Sequence, residues 1–201
     1  MSNQAVEPEI VTSSVPKPER MLDGFPWVSA IVLYTLSWGW SLLRPNTLYW
    51  EDWACLQRTV KINECAPSWR GVTPLVSLLV STPRLYITFL TFIGFFLAGI
   101  FLFETLAKFK QLDLLLKQAT VLLFLVIPVY HARISGTVFT YSVFYFIFFL
   151  GWVIILRFKK TQHCALGFLA IFLSFHLESL LFFVILPFVN FLWLNKVKLL
   201  S

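Results

Sequence analysis

From Thr137 to Leu156 the chain runs without a single charged residue, and from Leu85 to Phe103, bounded by Arg84 and Glu104, it does so again. Neither run alternates polar with apolar in the period of a surface helix or strand. A helix of roughly 20 apolar residues crosses a bilayer core about 30 Å thick, and in lipid it satisfies every backbone N–H and C=O internally. The composition agrees: 58% of residues are hydrophobic and only 13% are charged, against about 25% charged in soluble domains. The expected fold is therefore all-α, a polytopic integral membrane protein.

Six membrane segments are expected, at 26–43, 85–103, 114–130, 137–156, 164–175 and 180–194, within a single membrane domain spanning 25–198. Residues 1–24 carry Pro16, Pro18 and several acids with nothing to build a core, and are expected to form a disordered cytoplasmic tail. No small-residue cleavage site follows the first apolar run, which predicts a retained anchor. Residues 164–194 read either as one overlong helix or as two short ones broken around His176 and Glu178. Basic residues favour the break. Lys108, Lys110 and Lys117 form one cluster, Arg157, Lys159 and Lys160 a second, and Lys196 and Lys198 a third. The positive-inside rule puts all three on the cytoplasmic side only if the chain crosses twice between the last two. Both termini are then cytoplasmic, and the 44–84 loop is external.

That loop contains Tyr49-Trp50-Glu51-Asp52-Trp53. An aromatic belt at the membrane surface accounts for the rings, and a helix cap accounts for one acid, but neither needs two adjacent carboxylates. Such a pair suits a general base with a neighbour that orients it or holds a divalent metal, while Trp50 and Trp53 can stack on a sugar face. Trp53, Leu56 and Val60 share one helical stripe, which predicts a short interfacial helix, and Pro74 to Thr82 is apolar but too short to span. The external side also gathers Arg44, Arg70, Arg84, His131 and Arg133. A guanidinium fork holds a phosphate well, although each Arg taken singly reads as an interface anchor. His176 and Glu178 are ionisable groups inside an apolar region, where such groups mark a site or pathway. Cys55 and Cys65 share the loop and can pair in an oxidising compartment, or serve with Cys164 as apolar filler. The net charge of +6 lies at the ends of apolar runs, which excludes a nucleic-acid surface. Phosphate-cradling glycine loops, nucleophile elbows and zinc-spaced clusters are missing.

A first span followed at once by a long loop with an acidic pair among aromatics resembles the C-type polytopic membrane glycosyltransferases. Tyr49-Trp50-Glu51-Asp52-Trp53, then Trp69-Arg70-Gly71 and Pro74-Leu75, is most similar to the bacterial O-antigen glucosyltransferases of the serotype-conversion type. The resemblance implies a sugar taken from a polyprenyl-phosphate carrier, Asp52 as catalytic base and Glu51 beside it. It also implies a bacterial inner (plasma) membrane location, with membrane lipids and other glycan-assembly membrane proteins as partners. Two departures stand out: Glu51 occupies a position where the family pattern has Asp, and these enzymes have more spans than six. A non-enzymatic membrane subunit or flippase-like component of a glycan-assembly system is the alternative, and a proton-relay transporter ranks third.

Overall fold

The computed structural model describes residues 22–43, 84–127, 138–158, 160–175, 180 and 185, and among them there are helices and no strands. The helices are α1 (Trp27–Trp38), α2 (Trp40–Leu43), α3 (Arg84–Ala107), α4 (Leu114–Val126), α5 (Val138–Arg157) and α6 (Thr161–Ser174). Two stretches, Leu85–Ala107 and Val138–Arg157, are long and apolar enough to cross a membrane. The helices in the first and third expected segments are shorter than the sequence suggests, for local reasons, while α6 starts three residues before the expected 164–175 segment. Gly39, at φ +41°, ends α1 and separates it from the single turn of α2, so the 26–43 segment is bent there. α4 stops at Val126 because Ile127 is extended at ψ 128°, as the clash with a following proline requires, and Pro128 follows. Its 13 residues cover about 20 Å at 1.5 Å per residue. α6 ends at Ser174, with Phe175 in a turn.

Contacts along the helices give their directions. Phe25 stacks edge-on against Phe103 at 5.3 Å, and Trp38 meets Phe92 at 5.4 Å, so α1 runs antiparallel to α3. The connection after α3 is a tight turn, with Phe109 N donating to Leu106 O at 3.0 Å and Leu112 N to Phe109 O at 3.2 Å. It sends α4 back along α3. Ile87 clusters with Phe139, Phe95 with Tyr145, and Glu104 with Arg157. α5 is therefore parallel to α3. α6 returns along α5, with Gly167 opposite Gly151 and Phe175 opposite Phe148.

Two glycines set the α5–α6 distance. A Cβ on Gly151 would lie 2.8 Å from the Gly167 carbonyl oxygen, and one on Gly167 would lie 2.6 Å from Ile155 Cγ1. Small residues of this kind let helix backbones approach closely, the usual device where lipid removes the hydrophobic drive for helix association.

Several polar side chains are buried beside the apolar core, and many large apolar ones face outward. Thr88, Thr91, Thr105, Thr140, Ser142, Ser174 and Glu104 are buried, whereas Val28, Leu36, Leu115, Leu123, Phe168 and Phe172 are exposed. Several buried hydroxyls satisfy themselves on the preceding turn: Thr91 Oγ1 donates to Ile87 O at 2.7 Å, Thr105 Oγ1 to Phe101 O at 2.8 Å and Ser174 Oγ to Ile171 O at 2.6 Å. Soluble monomers rarely expose contiguous apolar patches beyond a few hundred Å². Together with the two membrane-length helices, these outward faces point to association with a membrane.

Candidate functional site

Of the side chains that the sequence singles out, Trp50, Glu51, Asp52, Trp53, Arg70, His131, Arg133, His176 and Glu178 lie outside the described residues, as do Cys55 and Cys65. Arg84 is the first residue of α3. The described helices nevertheless constrain where these segments start. α1, α4 and α6 each run away from Glu104, toward the end of α3 that Arg84 begins.

At the opposite end the structure assembles a polar site that sequence reasoning missed. Glu104 was expected to bound the 85–103 segment as a polar end. The helix instead continues to Ala107, and the Glu104 carboxylate is turned inward and 4% exposed. Burying a carboxylate is costly unless both oxygens are engaged, and here both are. Oε2 accepts from Arg157 Nη2 at 2.5 Å, and Oε1 accepts from the backbone N–H of Leu22 at 2.7 Å. Both are charge-assisted bonds, the stronger class.

The Leu22 contact lies within the last three residues of the 1–24 stretch. Leu22, Asp23 and Gly24 form a turn, with Leu22 at φ 69° and Gly24 at φ 85°, closed by Phe25 N donating to Leu22 O at 3.0 Å. Gln118 Nε2 of α4 donates to Gly24 O at 2.8 Å and fastens the turn from its other side. A non-glycine residue at positive φ is uncommon. Here the buried carboxylate supplies the partner that holds Leu22 in place.

A cleft of about 270 Å³ opens beside this pair, with Asp23, Glu104, Lys108, Lys117 and Arg157 among its walls. A second recess shares Lys108 and Arg157 and adds Leu156 and Phe158. Asp113 and Lys160 flank this end as the residues preceding α4 and α6. Among the described charged residues, Arg84 alone lies at the other end of the bundle. Glu104, engaged on both oxygens, is an anchor here. Among the described residues, no three His, Cys, Asp or Glu side chains converge to hold a metal ion. Near the same end, Cys164 is a free thiol whose Sγ donates to Phe158 O at 3.1 Å.

One signal in the sequence did point here: a carboxylate embedded in the apolar stretch Phe101-Leu102-Phe103-Glu104-Thr105-Leu106. An acid inside such a helix implies a buried partner. No protein-family model, no curated protein and no solved structure matches this chain.

Proposed function

We propose that the chain is a multi-pass membrane glycosyltransferase that moves a sugar from a polyprenyl-phosphate-linked donor to an acceptor hydroxyl on the external face of a bacterial inner membrane. The observation that carries this reading is the acidic pair Glu51-Asp52 set between Trp50 and Trp53. Neither membrane insertion nor solubility explains two adjacent carboxylates there. The common direction of α1, α4 and α6 is compatible with it, since Asp52, Arg133 and Glu178 come after those helices in the sequence.

Asp52 takes the acceptor hydroxyl proton as that oxygen attacks the anomeric carbon. The bond from that carbon to the carrier phosphate breaks, and the polyprenyl phosphate leaves with the electron pair, which inverts the anomeric centre. Arg133 and Arg84 are the guanidinium groups assigned to the phosphate, and Trp50 and Trp53 provide the faces on which sugar rings stack. His176 and Glu178 are assigned to the same external site, as is Arg70.

The test is transfer from a radiolabelled polyprenyl-phosphate sugar in membranes that contain the chain, wild type beside Asp52→Asn at equal expression. General-base catalysis contributes about 10²–10⁴-fold, so the variant is expected to lose at least about a hundredfold. Undiminished transfer by Asp52→Asn removes it as the base. No transfer from either protein favours the alternative, a membrane subunit or flippase-like component that works with a partner.

A further inference from the structure

We infer that residues 22–24 form a strap beside the cleft at Glu104, latched by that carboxylate and released when Arg157 leaves it. None of the residues assigned to sugar transfer takes part. Leu22 and Asp23 are walls of the cleft together with Glu104 and Arg157, so movement of the turn changes how far the cleft opens. Three helices hold the turn. Glu104 of α3 accepts the Leu22 N–H at 2.7 Å, and Gln118 of α4 donates to Gly24 O at 2.8 Å. Arg157 of α5 fixes the carboxylate through its other oxygen. Gly24 also sits close on α4, where an added Cβ would lie 2.9 Å from Leu114 Cδ1.

The backbone of the turn favours release. Leu22 is at φ 69°, a left-handed conformation that a branched side chain keeps only where its surroundings impose it. The Glu104 carboxylate is what bonds its N–H, and losing that bond lets the strain relax. Asp23 and Gly24 are exposed, so little buried surface resists the lifting of the turn. Segments with few buried contacts are those that open locally while the rest of a fold stays closed.

Arg157 is the other half of the latch. It is 30% exposed, whereas Glu104 is 4% exposed, so an event at the surface can reach the guanidinium but not the carboxylate. A buried carboxylate stripped of its counter-charge is costly. Lifting the strap hydrates it by the shortest route, because the cleft already adjoins both groups. The end of α5 is thereby coupled to the chain just before α1, through one carboxylate that serves both.

The experiment is hydrogen–deuterium exchange of the purified full chain in lipid nanodiscs, read by mass spectrometry on peptides covering 22–27, α3 and α5. Exchange across 22–27 is expected to rise about tenfold or more in Glu104→Ala, the factor equivalent to one lost hydrogen bond to a charged group. Arg157→Gln should raise it to a similar degree although it touches no atom of the strap, and Arg157→Lys should keep most of the protection. Gln118→Leu, which leaves the ion pair intact, should raise it about fivefold. In each variant the middle of α3 and of α5 should exchange as in wild type, which identifies the opening as local. Protection of 22–27 that is indifferent to Arg157→Gln overturns the coupling. A rise shared equally by α3 and α5 assigns the opening to the whole bundle and overturns the strap.

Discussion

On one side of α5, Gly151 and Gly167 bring the backbone of α6 so close that a single added methyl would collide with a carbonyl oxygen. On the other side, toward α3, Arg157 reaches a carboxylate that is 4% exposed, and Phe95 and Phe101 meet Tyr145 and Phe146 at 6.0 and 5.5 Å. Two neighbours of one helix are thus held by different means, backbone proximity against α6 and a buried ion pair with interlocked rings against α3. Where the medium is as apolar as the side chains, burying Leu or Phe gains little. Helix pairs then depend on either close steric fit or polar bonds. α5 uses one for each neighbour.

The comparison can be broken at its steric side first. Gly167→Leu places a side chain where Ile155 Cγ1 and the Gly151 carbonyl already stand. It should cost about 3 kcal/mol or more, at the upper end of overpacking penalties. Unfolding of the detergent-solubilised protein by titration with a denaturing detergent measures this, and a variant as stable as wild type would remove the steric account of the α5–α6 contact.

The polar side predicts an asymmetry. Arg157 is 30% exposed and Glu104 is 4% exposed, so the two partners differ in what their loss leaves behind. Arg157→Gln strands a buried carboxylate with the Leu22 N–H as its remaining charge-assisted bond, and should cost about 2–3 kcal/mol. Glu104→Gln leaves a guanidinium that can turn to water, and should cost about 1.5 kcal/mol. The same unfolding titration ranks them, and the reverse order would show that the pair is not anchored through its carboxylate.

A smaller effect sharpens the contrast with α1. Tyr34 is fully buried and donates its hydroxyl proton to Phe92 O at 2.7 Å, while its ring packs on Phe92 and Phe96. Tyr34→Phe keeps the ring and loses that bond, which should cost about 1 kcal/mol. A null result would assign the α1–α3 contact to the rings alone.

Some of this was legible along the chain and some was not. The helical runs were readable because apolar length and proline are local properties. The run from Leu85 and the run to Leu156 both became helices, and Pro128 follows the end of α4. The turn at Gly39 was missed, because a single glycine inside an apolar run carries no sign of its own φ. Glu104 and Arg157 were both noticed, one as a segment end and one as an orientation signal. Their partnership was not, since it joins residues 53 positions apart and exists only because α5 lies parallel to α3. Leu22 belonged on paper to a polar tail, and only the buried carboxylate gives its N–H a partner. The Glu51-Asp52 pair was singled out from its neighbours in the chain, and it rests on that local chemistry.

By itself, the sequence determined that this chain forms apolar helices and that its positive charges gather at the ends of those helices, because length, apolarity and charge are properties of contiguous residues. Only the tertiary structure decided which ends meet. The direction of each helix along α3 and α5 draws Asp23, Glu104, Lys108, Lys117 and Arg157 around one cleft. Pairing across such distances depends on how surfaces fit, on a glycine beside a glycine and a carboxylate within reach of a guanidinium, and no single stretch of chain encodes it.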